Sequence, residues 1–371
     1  MAMVRPRSAA AIPCWEQAAA RVVPLSESIR SRDATSDRPR SETTVAWYRL
    51  GGGFLRVDAD TPDLTTRFRE VLSECRCDAP IESSAPRAFC WVRHLPDAGV
   101  VWARFETATA VDALPFILHI FSDRAYREVP SPLPGWRAMA SADCERPLAI
   151  FRGEDVLLDA EQPWASLLGS YAFNRALTAQ PGMLFFHAAS FSRGGVGVMV
   201  GGGKEAGKST LALTLASRGH DFLGDEVAAL APDGTLLPLR RAVSVRSGPR
   251  AVAVEEALRR GDHAVETFPD GAPRIRAEVR SLFPGAAARP APLRILLLLR
   301  PLRDRPRLTK FLPERELISE LGPLPCMLWG SALAGTMMRL MRLIHTVPGY
   351  FLEPGPPEAT ADLVEELLEA L

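Results

Sequence analysis

A handful of residues in the second half of this chain have the types and spacing needed for phosphate chemistry. The run Gly202-Gly203-Lys204-Glu205-Ala206-Gly207-Lys208-Ser209 satisfies GxxxxGK(S/T), in which glycines let successive backbone N–H groups turn toward an anion. Lys208 is placed to meet the β and γ phosphates of a nucleotide, and the Ser209 hydroxyl to ligate a bridging magnesium ion. Gly202, Gly203, Lys204, Glu205, Ala206, Gly207, Lys208, Ser209 and Thr210 are therefore the expected nucleotide-binding residues, with ATP and Mg2+ as cofactors. Lysine usage points the same way. Lys and Arg together number 44, yet only Lys204, Lys208 and Lys310 are lysines, and two of these lie in the loop. A compact ammonium kept where a point charge must meet phosphate fits a chemical requirement.

Two adjacent carboxylates, Asp225 and Glu226, follow Lys208 by seventeen and eighteen residues. In phosphoryl transfer a carboxylate accepts the proton of the attacking hydroxyl or holds the metal. Neighbouring strand positions point oppositely, so one of the pair is expected to face the γ-phosphate. Asp225 is the first choice for that role and Glu226 for help with the metal alongside Ser209. His187, twenty-one residues before Lys208, ends an apolar stretch and taken alone reads as a core or capped histidine. Arg240, Arg241, Arg246 and the segment 274–280 carry further charges that could face phosphate or an acidic substrate, although a solvated face is their plainer reading.

The elements that must position these groups follow from apolar patterning. Val196–Val200 reads as a buried strand feeding the loop, and Lys208–Arg218 as the helix after it. Strands are expected at 183–187, 222–223 and 227–230, giving a mixed sheet around the phosphate loop, with another strand at 293–300. A helix fits Trp164–Thr178. In the first half, 45–50 and 54–57 read as a hairpin around Gly51-Gly52-Gly53, with a helix at 63–73 and strands at 88–94, 100–105 and 115–121. The expected division is a flexible extension over residues 1–43 with a short helix near 15–22, a small α+β domain over 44–135, and a nucleotide-binding domain over 136–371.

Composition sets outer bounds. The chain has 371 residues, 47% hydrophobic and 24% charged, enough for two domains with real cores. Its formal net charge is zero, so no global basic field favours nucleic acid or an anionic membrane as partner. The apolar run within 293–300 is far shorter than the ~20 residues a membrane helix needs. Glu16 and Arg21 interrupt any secretory core near the N-terminus, so a cytoplasmic protein is expected. Six cysteines lie without paired metal-ligand spacing and read as reduced thiols.

The stretch Phe186–Leu230, with His187-Ala188-Ala189, Gly195-Val196-Gly197-Val198, the GKST loop, Arg218-Gly219-His220 and Asp225-Glu226, resembles the catalytic domain of HPr kinase/phosphorylase. It is most similar to the HPr-kinase-related proteins encoded beside peptide-modification genes, which share the Leu168-Gly169-Ser170-Tyr171 helix; the specific match spans Leu167–Leu239. The resemblance implies an α/β fold of phosphoenolpyruvate-carboxykinase-like type with a mixed sheet, Mg-ATP use, and phosphorylation of a serine on a protein or peptide. It casts Asp225 as general base, Glu226 as the second acid and His187 as the active-site histidine, and it makes a homo-oligomer plausible. Two departures stand out. The second acid is Glu where the family has Asp, and the Glu-x-Arg-Gly-Leu-Gly segment is absent, so HPr itself is not the expected acceptor.

The resulting expectation is an ATP-dependent phosphotransferase acting on Ser/Thr of a peptide or small protein. A kinase of a small-molecule hydroxyl and a non-kinase ATP-binding assembly module stand as alternatives.

Overall fold

Two contact-dense units divide the chain in the computed structural model, which describes residues 13–30, 44–61, 68–69, 71–80, 84–108, 113–120, 126–161, 164–267, 273–311, 338, 342 and 345–370. The first unit is Met1–Tyr48, Gly53–Arg69 and Cys77–Ala179; the second is Arg49–Gly52, Glu70–Arg76 and Gln180–Leu371. Both are mixed α/β.

A nine-stranded sheet organises the first unit. Its order is Arg76–Cys77, Thr44–Leu50, Gly53–Ala59, Arg87–Leu95, Val100–Glu106, Asp155–Asp159, Ala149–Arg152, Arg137–Ser141 and Tyr126–Val129. The strands 137–141, 149–152 and 155–159 continue the same sheet as those before residue 107, because main-chain pairing runs unbroken from Val100–Glu106 to Asp155–Asp159. The division between units therefore falls after Ala179 and does not coincide with the expected one at 135/136. Helix Trp164–Thr178 packs on the central strands and lies where the sequence placed it.

Three further expectations are corrected or fall outside the described residues. Trp15–Arg30 is a sixteen-residue helix, longer than the short one expected inside a flexible extension. Trp15, Ala18 and Val22 recur at helical spacing and are buried with Trp91, Trp102 and Trp136 in the core. Residues 1–12 and 31–43 lie outside the described residues. The expected strand at 115–121 is a helix, Ala113–Ile120. Its short apolar run lacks the alternation that separates strand from buried helix, and packing decided for the helix. Of the expected helix at 63–73, residues 63–67 and 70 lie outside the described residues, while 68, 69, 71 and 72 are helical and Ser73–Cys75 closes in a 3-10 turn.

The second unit is built on another mixed sheet, ordered Leu184–Phe186, Ala228–Leu230, Thr235–Leu237, Ala291–Leu299, Val196–Gly201, Ala189–Arg193 and Asp221–Gly224. Gly349–Glu353 runs parallel to the later part of Ala291–Leu299 and pairs with Arg307–Lys310. Val196–Gly201 lies parallel to Ala291–Leu299 and antiparallel to Ala189–Arg193, which is itself antiparallel to Asp221–Gly224. Strand side chains alternate between faces. Val198 and Val200 enter one core with Leu211, Leu215, Val364 and Leu368, while Met199 enters another with Phe186 and Leu223.

Helix Lys208–Ser217 covers the first of these faces, with Leu211, Ala212, Leu213, Leu215 and Ala216 buried. It ends in a Schellman arrangement, with Gly219 N–H donating to Ala216 O and His220 N–H to Leu215 O, and Gly219 takes the positive φ of 89° this requires. Helix Pro357–Glu369 packs beside it. Glu365 of that helix contacts His220 Nε2 at 2.8 Å and accepts from Arg218 at 2.6 Å. Among the described residues, no helix is long and apolar enough to cross a membrane.

Candidate active site

Sheet direction gathers the sequence-singled residues at one end of the second unit. Val196–Gly201 ends where Ala189–Arg193 begins, because Ala189 pairs with Val200. Asp221–Gly224 ends there too, since Ser190 pairs with Gly224. Leu184–Phe186 and Ala228–Leu230 pair with Phe186 opposite Ala228, so His187 and Val227 continue that ladder outward. Three connections, at 187–188, 202–207 and 225–227, thus emerge side by side.

Residues 202–207 form a tight loop. Gly202 and Gly207 have φ of 152° and 99°, and Glu205 is the one non-glycine with positive φ among the described residues. A Cβ on Gly203 or Gly207 would enter open space, so the loop presents bare backbone to anything that approaches. Its peptide groups lead into the N-terminus of Lys208–Ser217, the positive end of that helix. Lys208 is buried and turns its ammonium back on the loop, donating to Gly202 O and Gly203 O at 2.8 Å each. Burial lowers its pKa, and the charges of Asp225 and Glu226 oppose that shift.

Asp225 and Glu226 occupy different environments. Asp225 is 7% exposed. Its pKa is raised to about 6, first by burial and then by the Glu226 charge; the Ser209 hydroxyl, Arg241 and Lys208 pull it down. Glu226 is exposed and accepts from Arg241 Nη1 at 2.8 Å. Gly224 sets this bend. A Cβ there would stand 2.9 Å from both Leu239 O and Val227 O, and the Leu239 N–H donates to Leu223 O at 2.8 Å. That close passage of 239–241 brings Arg241 to Glu226.

His187 sits in the bend after Leu184–Phe186. The residue is solvent-accessible, yet partial desolvation of its ring is the largest cause of a lowered pKa. Lys208 pushes the same way, while Glu226 opposes through its charge and a backbone hydrogen bond. His187, Lys208, Ser209, Asp225 and Glu226 therefore form one electrostatically coupled group.

Of the remaining expected residues, Lys204 and Glu205 are exposed and Ala206 and Thr210 half-buried. Thr210 lies in the helix and gives its carbonyl to Thr214 Oγ1 at 2.8 Å. Arg241 and Arg246 carry more than their plain sequence reading, since Arg241 pairs with Glu226 and Arg246 with Glu205. The only signal for them was basic residues in the segment following the acidic pair. Among the described residues, no group of three or more His, Cys, Asp or Glu side chains is arranged to hold a metal. The site instead offers hard oxygen donors, the Ser209 hydroxyl and the Asp225 and Glu226 carboxylates, which suit magnesium when phosphate oxygens complete its shell.

No known family's sequence profile matches the chain. No curated protein matches it in sequence. Among solved structures it is similar to the HPr(Ser) kinase/phosphatase from Coxiella burnetii, with 18% identity over 50% of this chain and 88% of that one, at a TM-score of 0.26.

Proposed function

We propose that the chain is an ATP-dependent kinase that transfers the γ-phosphate to a hydroxyl, with serine or threonine of a peptide or small protein as acceptor. The observation that supports this most is a buried carboxylate with its pKa raised to about 6, Asp225, held against the Ser209 hydroxyl and the charge of Lys208 at the end of a glycine loop. A base tuned toward neutrality takes a proton more effectively near physiological pH than an ordinary aspartate.

In this reading the acceptor hydroxyl gives its proton to an Asp225 carboxylate oxygen as its oxygen bonds to the γ-phosphorus. The bond from that phosphorus to the bridging oxygen breaks, and ADP leaves. Lys208 exchanges the Gly202 and Gly203 carbonyls for phosphate oxygens, and the bare backbone at Gly203 and Gly207 lets the polyphosphate approach. Ser209 and Glu226 would hold magnesium, which when bound neutralises charge on the phosphates. Arg241 fixes Glu226 in place. His187, held neutral by its lowered pKa, adds a hydrogen-bonding group without adding charge. The first unit is assigned to recognising part of the acceptor or to an accessory role.

The test is transfer of labelled γ-phosphate from Mg-ATP in parallel reactions offering peptides, small metabolites and cell extract, with Asp225→Asn as control. A labelled product that vanishes in the variant supports the kinase and gives the acceptor's size class. Tight ATP binding with no variant-sensitive transfer would replace this reading with a nucleotide-dependent binding module.

A further inference from the structure

Glu205 is out of place by charge and by backbone. It is a carboxylate inside a loop whose peptide groups and helix terminus favour anions, and its φ of 65° is one that residues other than glycine rarely adopt. Its side chain, 65% exposed, pairs with the guanidinium of Arg246, 41 residues further on. An unpaired carboxylate there would repel a polyphosphate, and Arg246 is what neutralises it.

Arg246 comes to the loop from a separate element. It ends the first strand of a three-stranded sheet ordered Val243–Arg246, Pro273–Ala277 and Ala264–Thr267. Val243 and Val245 are buried in the core that Leu211 and Leu215 share. The Arg246 carbonyl accepts from Arg250, itself paired with Glu255. The backbone is thereby fixed, while the Arg246 side chain stays 32% exposed. Across the sheet Arg246 stands opposite Arg274, whose other cross-strand neighbour is Glu266; Arg246 meets its own counter-charge on the loop. An ion pair so open to water contributes little to stability and gives way to a ligand of higher charge.

We infer that Arg246 is a ligand of the terminal phosphate of ATP and that Glu205 is its stand-in, exchanged for phosphate oxygens when the nucleotide binds. The inference rests on the kinase reading and adds to it how the site tells ATP from ADP. Backbone N–H groups of such a loop serve the inner phosphates and its lysine the β and γ phosphates, so a cation brought to the loop from another strand is left for the outermost group. Charge spreads over the oxygens of that group during transfer, and a guanidinium fork meets two of them at once. Once the γ-phosphate has gone to the acceptor, Arg246 returns to Glu205, and the restored pair favours release of ADP.

The experiment is calorimetric titration of the full-length protein at saturating magnesium, with the non-hydrolysable β,γ-imido analogue of ATP and with ADP. Arg246→Gln should weaken the analogue about tenfold, as loss of one charge-assisted contact gives, and ADP by less than about twofold. Arg246→Lys, which keeps the charge without the fork, should retain part of the analogue's affinity. Glu205→Gln should tighten the analogue about threefold, the size of an open ion pair, and most of that gain should vanish when Arg246→Gln is already present. No loss in Arg246→Gln overturns the inference, and so does an equal loss for analogue and ADP, which would move Arg246 to the inner phosphates. A Glu205→Gln gain of the same size with and without Arg246 overturns the stand-in role, leaving Glu205 a merely repelling charge. Failure of the kinase reading is read separately, from wild type that binds neither nucleotide.

Discussion

The Lys208 ammonium lies 2.8 Å from the carbonyl oxygen of Gly202, the residue that opens its own loop. A buried ammonium needs acceptors, and the loop supplies them from its own backbone, so the same geometry that satisfies Lys208 keeps it in the cradle.

Replacing Lys208 with Ala should therefore separate binding from folding. The freed carbonyls of Gly202 and Gly203 lie in a loop open to water, so stability should change by no more than ~1 kcal/mol. Loss of a hydrogen-bonded charge against phosphate costs ~1.5–3 kcal/mol, about ten- to a hundredfold in ATP affinity. Calorimetric titration with ATP and thermal melts check the two halves.

Asp225→Asn should lower the transfer rate by roughly 10²–10⁴, the span typical for a general base, with ATP affinity retained. It should also stabilise the protein. The folded pKa of about 6 lies above the ordinary 3.8, so between those values the native state binds more protons than the unfolded one, and stability falls as pH rises through that window. The Asn variant escapes this cost. Its melting temperature should exceed that of wild type above pH 6, and the gap should close as pH falls toward 3.8.

The acid limb of the pH–rate profile should sit near the Asp225 pKa and move in opposite directions in two variants. Arg241 holds that pKa down, so Arg241→Gln should shift the limb to higher pH; Glu226 pushes it up, so Glu226→Gln should shift it to lower pH. Rates measured across the acid range at saturating magnesium read both shifts. Two shifts of the same sign would refute the electrostatic coupling.

Gly224→Ala tests the bend itself. The added Cβ would stand 2.9 Å from two backbone carbonyls that cannot swing aside, an overpacking that costs ~1–3 kcal/mol. Denaturant melts should register that loss. Transfer should fall as well, because Asp225 follows directly.

Local patterns were legible where local physics decides. The GxxxxGK(S/T) spacing placed residues 202–209, the apolar run placed Val196–Gly201, and helical periodicity placed Trp164–Thr178 and Lys208–Ser217 within a residue. The strand expected at 115–121 is instead the helix Ala113–Ile120, because so short a mostly apolar stretch carries no period that separates strand from buried helix. The division after Ala179 was hidden because strand pairing between Val100–Glu106 and Asp155–Asp159 bridges some fifty residues of sequence, and no local signal records which distant strand completes a ladder.

By itself, then, the sequence determined the glycine loop at 202–207, the elements flanking it and the candidate acids and histidine, since each rests on residue type and near-neighbour spacing. Only the tertiary structure decided that Asp225 is buried while Glu226 is exposed, that Arg241 and Arg246 reach Glu226 and Glu205, and that Arg274 stands opposite Arg246. Burial and cross-strand register are properties of the packed sheet, in which partners far apart along the chain set the dielectric and the charge around each group.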